Sequence, residues 1–203
     1  MYEKFGQFID GKWIKSSSGE TYQVINPANE EIIGHASKAS PEDVDKALKS
    51  AEKGLEIWRK TPPWQRSNIL RKIADKIREK KDVFAKWMTL ENGKPLAEGA
   101  AEANGTADIF EWNAEETKRI YGQTIESRFK DTRVHVYYQP VGVVAALSPW
   151  NFPLILAARK ISTALGAGCS VIVKPDVITP GVVMQLVDVC RDCGVPPGVV
   201  NLL

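Results

Sequence analysis

Three apolar runs in the last third of the chain limit its fold more than any other feature: VGVVAALS at residues 141–148, VIVK at 171–174 and VVNLL at 199–203. None alternates polar with apolar, as a strand with one wet face would, so each reads as a strand buried on both faces. A helical stretch to Leu165 and a GAG turn separate the first two runs. A helix opened by Thr179 and Pro180, running to about Cys193, and a GVPPG turn separate the second and third. Strand, helix, strand, helix, strand is half of a doubly wound parallel α/β sheet. In such sheets a ligand sits beyond the carboxyl ends of the strands, where helix N-termini aim their free amides. Because the sequence stops within the third run, that strand is expected to have an uncovered edge, with apolar helix faces lacking partners and a tendency to aggregate or to need another chain.

Upstream, the text changes character. GQFIDGKWIKS, residues 6–16, predicts a hairpin turning on Asp10 and Gly11. Ser40 is an N-cap and Pro41 lies in the first turn of an amphipathic helix in which Val44, Ala47, Leu48, Ala51, Leu55 and Trp58 recur at helical spacing. Residues 62–90 repeat the pattern, with Ile69, Leu70, Ile73, Ile77, Phe84, Trp87 and Leu90 as core candidates and ENGKP, 91–95, as terminator. An alanine-rich helix is expected from Leu96 to Arg119. Residues 121–139 read as two exposed strands projecting from the body, which either pair with another subunit or form a surface hairpin. Three parts are therefore expected: an amino-terminal helical part with a hairpin (1–120), projecting strands (121–140) and an incomplete dinucleotide-binding half (141–203).

Lysine plus arginine (27) nearly balance aspartate plus glutamate (25), and a net charge of +2 gives no electrostatic case for nucleic acid or an anionic membrane. The charged opening MYEKFGQFIDGKW is unlike a secretory signal, and no apolar segment is long enough to span a bilayer. Together with three cysteines, an odd number, this points to the cytoplasm. Cys190 and Cys193 form a CxxC without a second pair, so they read as structural rather than as a zinc site, and Cys169 reads as a small buried residue. No metal is expected.

SPWNFP, 148–153, falls at the carboxyl end of the first parallel strand, and KPDV, 174–177, at the end of the second. No GxGxxG joins the first strand to its helix, so a nucleotide would be held otherwise than by glycines at its pyrophosphate. From position alone, Lys174 is either a solvated charge or a donor to ribose hydroxyls or a phosphate. Asn151 is either a helix cap or an amide facing a ligand.

The motifs in combination decide between these. PWNFP followed by an arginine-bearing helix, ALGAGCSVIVKP at 164–175, the Thr179-Pro180 pair, GVPPGVVN at 194–201, and upstream NPANEEIIG, ENGKPLAE and EWNAEETKRIYG occur in one order along the chain. The sequence thus resembles the NAD(P)-dependent aldehyde dehydrogenases from the first hairpin to its last residue, and EWNAEETKRIYG is similar to the succinate-semialdehyde branch. The resemblance implies a cysteine thiolate that attacks an aldehyde, hydride transfer to the nicotinamide, and a glutamate-activated water that releases the acid. It makes Asn151 the amide donor to the oxyanion and Arg159 the partner of a substrate carboxylate, so the implied substrate is succinate semialdehyde or a similar short ω-oxo acid. Eight residues of helix span about 12 Å with a rotation of about 80°, which lets the two border one pocket at different depths. The alternative for Arg159 is a charge reaching the surface beside Lys160.

The resemblance assigns Ser148, Pro149, Trp150, Asn151, Lys174, Pro175, Asp176 and Val177 to NAD or NADP. Val177 departs from the family pattern, where glutamate holds the ribose hydroxyls in many NAD users and serine is common in NADP users. Asp176 would repel a 2′-phosphate, which favours NAD. Relatives are homo-oligomers. Their nucleophilic cysteine, their glutamate base and the glycine-containing turn over the nicotinamide lie beyond the position of Leu203, so this chain by itself is expected not to oxidise aldehydes. It would then be part of an enzyme, the product of a truncated gene, or a noncatalytic nucleotide-binding or oligomerisation module.

Overall fold

The computed structural model describes residues 2–203. In chain order the elements are β1 (Gln7–Ile9), β2 (Lys12–Ile14), β3 (Thr21–Ile25), β4 (Ile32–Ser37), α1 (Pro41–Trp58), α2 (Pro63–Glu79), α3 (Lys81–Asn92), α4 (Leu96–Thr117), β5 (Gln123–Glu126), β6 (Arg133–Val136), β7 (Val143–Leu147), α5 (Pro153–Ala167), β8 (Ser170–Lys174), α6 (Pro180–Asp192) and β9 (Val200–Leu202). The predicted strand–helix alternation is present: β7, β8 and β9 are parallel, with Leu147 opposite Lys174 and Val173 opposite Leu202.

The outer edge of β9 is not open, contrary to expectation. The sheet order is β2-β1-β9-β8-β7, and β1 lies antiparallel to β9 with Phe8 opposite Leu202. The amino-terminal hairpin thus closes that edge, and strands from residues 1–120 and 141–203 share one sheet. Asp10 (φ 53°) and Gly11 (φ 77°) are both left-handed, the backbone a two-residue hairpin turn requires. A Cβ on Gly11 would meet Pro197 at 3.2 Å, so the turn is seated on the GVPPG loop.

β7 also departs from the prediction of strands buried on both faces. Only Ala146 is buried in it, while Ala145 and Leu147 are exposed. The reason is coverage: α1 crosses that side of the sheet mainly over β8 and β9, and β7 pairs with β8 alone. Beside it lies an open groove of about 1220 Å³ lined by β3, Val44, Ala145, Leu147, Ile172 and the start of the KPDV loop.

α1 begins as predicted, with Ser40 and Asp43 forming a reciprocal capping box. Its buried stripe, however, is Ala47, Ser50, Ala51, Gly54 and Trp58, and Val44 and Leu48 are exposed. The helix lies too close to its neighbours for larger residues: a Cβ on Gly54 would come within 2.2 Å of the Gly198 carbonyl carbon. The 62–90 segment divides at Lys80 into α2 and α3, which bury Leu70, Ile73, Ile77, Phe84, Trp87 and Met88, with Ile69 and Leu90 only half-buried. Gly93 (φ 74°) ends α3, and α4 packs on α2, α3 and α5. β5 and β6 pair only with each other and expose Ile125 and Val134, as their connecting loop exposes Phe129. No described helix is long and apolar enough to cross a membrane.

Asp43 fastens the hairpin to α1. Its carboxylate accepts from Gln7 Nε2 (3.1 Å), Ser16 Oγ (2.8 Å), Ser17 Oγ (2.6 Å) and the Ser40 amide (3.0 Å). Burial acts to raise its pKa, but the bonds from Ser17, Ser40, Ser16 and Gln7 outweigh that and hold it well below the usual carboxylate range. A depressed folded pKa contributes stability above the ordinary carboxylate pKa that is lost as pH falls below it. Asp43→Ala, which strands these donors, is expected to cost about 3 kcal/mol near neutrality in urea melts. A loss under about 1 kcal/mol would contradict this role.

Candidate active site

The loops after β7 and β8 start side by side, with the Ser148 amide donating to the Lys174 carbonyl at 3.2 Å. After β7 the chain turns through Pro149–Phe152 into α5, which has Pro153 in its first turn. Phe152 occupies the N-cap position and has no side-chain oxygen, so no side chain of the turn itself caps α5. The cap comes from α4. Glu102 Oε1 accepts from the Leu154 and Ile155 amides at 3.0 and 3.1 Å. Its other oxygen pairs with Lys94, whose ammonium also donates to the Asn151 carbonyl (3.0 Å) and stands 4.1 Å from the Phe152 ring centroid. Asn92 Nδ2 donates to the Trp150 carbonyl at 3.1 Å.

The side chain of Asn151 is therefore not spent on the helix. The residue is exposed, and its backbone is held from outside. Arg159 lies further along α5 on the exposed face with Lys160 and Thr163, while Leu154, Ala157, Ala158, Ile161 and Leu165 are buried. Among the described residues Arg159 forms no ion pair.

The KPDV loop uses the same device. Thr179 is the N-cap of α6 without a side-chain cap bond, and Glu91 of α3 instead accepts from the Gly181 and Val182 amides at 2.6 and 3.0 Å and from the Tyr2 hydroxyl. Burial pushes the Glu91 pKa up to about 7, against the downward pull of these bonds. Burial and the neighbouring Glu91 carboxylate push Tyr2 far above its usual range, and burial, then Glu91 and Asp176, push Tyr22 up to about 12. Asp176 Oδ1 accepts from the Ile178 amide at 3.0 Å, which fixes the loop.

Lys174, Pro175 and Val177 line the 1220 Å³ groove; Ser148, Pro149, Trp150, Asn151, Arg159 and Asp176 do not. The hydroxyls of Ser148 and Thr179 are buried without a hydrogen-bond partner among the described residues. Cys169 and Cys190 are buried, and burial raises the thiol pKa of Cys190 and of half-buried Cys193. Sequence reasoning missed Glu91, Lys94 and Glu102. A signal existed: a helix starting Phe-Pro has no oxygen of its own for a cap, so an acid must reach it from elsewhere.

The aldehyde dehydrogenase family model matches residues 13–203. The chain belongs to the aldehyde dehydrogenase family. It is 41% identical over 196 residues to a glutarate-semialdehyde dehydrogenase of Pseudomonas aeruginosa, an alignment covering 97% of this chain and 41% of the relative. It is 41% identical over 195 residues to an NADP(+) succinate-semialdehyde dehydrogenase of Escherichia coli, covering 96% and 40%. Its fold superposes on the crystal structure of an E. coli NADP-dependent enzyme with a TM-score of 0.97 at 40% identity, covering 100% of this chain and 43% of that one. A betaine aldehyde dehydrogenase of Staphylococcus aureus in complex with NAD+ gives 0.96 at 35%, covering 98% and 41%. The chain thus spans about two fifths of the length of these relatives.

Proposed function

We infer that this chain supplies the oxyanion donor, the substrate-carboxylate partner and part of the dinucleotide site of an enzyme oxidising succinate semialdehyde or a similar short ω-oxo acid. The observation that carries this reading is Glu102 capping α5, which leaves the Asn151 amide free at a strand end where ligands of such sheets sit. A neutral amide suits an oxygen that becomes negative only as a thiolate adds to the carbonyl carbon, because it brings no permanent charge. The thiolate and the base that later activates water are contributed from outside these residues. Arg159, exposed two turns along α5, is the cation for the distal carboxylate, and its planar fork matches that group. The names of the two semialdehyde relatives support this substrate class.

The residues fit a dinucleotide. Lys174 stands at the groove, and the unpartnered hydroxyls of Ser148, just after β7, and Thr179, at the α6 N-cap, are buried polar groups beside the two loops, outside the groove lining. A bound dinucleotide would supply the acceptor for the hydride released from the tetrahedral carbon formed when the thiolate adds to the aldehyde. Asp176, fixed by its bond to Ile178, disfavours a 2′-phosphate, and Val177 offers the ribose no acceptor; we assign NAD over NADP on the former.

The test is a chimaera in which residues 1–203 replace the corresponding segment of the E. coli succinate-semialdehyde relative, assayed with each dinucleotide. Arg159→Met is expected to raise KM for succinate semialdehyde about 10- to 100-fold, the loss of a charge-assisted contact, and to leave butanal unchanged. Equal effects on both aldehydes would remove the carboxylate assignment. A lower KM for NADP than for NAD would overturn the role given to Asp176.

A further inference from the structure

The Asn151 turn is held by groups that none of its own residues supply. Its successive carbonyls at Trp150 and Asn151 accept from Asn92 and Lys94, and the next two amides of α5 with free hydrogens, those of Leu154 and Ile155, donate to Glu102. All three clamping side chains lie within ten residues of the ENGKP turn, whose Gly93 lets the chain reverse at the end of α3. The Lys94 and Glu102 side chains are 8% and 2% exposed, too buried to be an incidental surface pair.

We propose that Lys94, by bridging Glu102 to the Asn151 carbonyl, is the positioning residue that fixes the direction of the Asn151 amide. An ammonium has three donors in a compact point charge, so it can satisfy a carboxylate and a carbonyl at once and hold the interval between them. Glu102 sets the start of α5, and Lys94 ties that start to the residue three positions earlier. A free carbonyl at Asn151 would leave the Asn151–Phe152 peptide plane able to rotate, changing ψ of Asn151 and with it the side-chain rotamers that the backbone allows. The inference rests on the reading of Asn151 as the oxyanion donor.

Lys94→Met alone strands a buried carboxylate and risks unfolding, so the informative variant is Lys94→Met/Glu102→Gln. Glutamine keeps an acceptor for the Leu154 and Ile155 amides, and what is lost is the ammonium with its link to the Asn151 carbonyl, its pairing with residue 102 and its contact with the Phe152 ring. Backbone ¹⁵N relaxation on the 203-residue chain is expected to show order parameters at Leu154 and Ile155 remaining at about 0.85 while Phe152, whose N–H shares the peptide plane of the Asn151 carbonyl, falls below about 0.6. Phe152 remaining near its wild-type value would overturn the proposal. So would loosening of Phe152, Leu154 and Ile155 together, since the pair would then be only a helix cap. Because this readout needs no turnover, it separates from the functional reading: loss of order at Phe152 combined with an Asn151→Ala chimaera of normal kcat would keep the clamp and discard the oxyanion role.

Discussion

Asn151→Ala in the chimaera is expected to lower kcat for succinate semialdehyde by about 100- to 1000-fold, with KM changed by less than about threefold. The amide is asked for about 3 kcal/mol of transition-state stabilisation, typical of one preorganised donor to an oxyanion, and for little in the ground state, where the carbonyl oxygen carries no full charge. The competing account makes Asn151 a helix cap, whose removal costs about 1 kcal/mol of stability and acts on turnover only through unfolding. The two accounts separate cleanly because Glu102 already occupies the Leu154 and Ile155 amides. Thermal melts should therefore leave Asn151→Ala within about 0.5 kcal/mol of the parent. A stable variant with kcat within tenfold of the parent would remove Asn151 from the chemistry.

Reading the sequence succeeded where the cause is local. The parallel strands declare themselves as unbroken apolar runs, Ser40 caps the helix it precedes, and Asp10-Gly11 makes the turn its backbone freedom allows. It failed where the partner is far along the chain. Nothing near Val199–Leu203 says that Phe8 will pair with Leu202, so the β9 edge reads as open. Helical spacing offered Val44 and Leu48 to the core of α1, but a stripe of alanine and glycine went there, because α1 approaches the Gly198 turn at backbone distance. The loops after β7 and β8 show the same division. Their motifs are legible, whereas the carboxylates that hold them, Glu91 and Glu102, come from α3 and α4 and look like ordinary surface charges of amphipathic helices.

Glu91 gives the fold a pH dependence of definite sign. Its unfolded pKa is near the ordinary 4.5 and its folded pKa is pushed up to about 7, so between these values the native state holds a proton that the unfolded state has released. The contribution of this group is fully present below the unfolded pKa and is lost as pH rises through about 7. A shift of this size corresponds to a loss on the order of 3 kcal/mol across that window, opposite in direction to the acid-side loss expected from Asp43. Urea melts of the parent from about pH 5 to about pH 8 should therefore show falling stability. Glu91→Gln should flatten the slope because no proton is exchanged, while lowering stability at every pH: its one oxygen can take the place of Oε1, accepting from the Gly181 amide and the Tyr2 hydroxyl, and its NH2 then faces the Val182 amide that donates to Oε2 in the parent. The two proteins share every other ionisable group, so the difference between the two curves isolates Glu91. Parallel curves would mean that Glu91 is ionised at the α6 N-terminus throughout, with the helix amides and the Tyr2 hydroxyl outweighing its burial. The cap of the KPDV loop would then be a permanent carboxylate, and the seating of that loop on α6 would be indifferent to pH near neutrality.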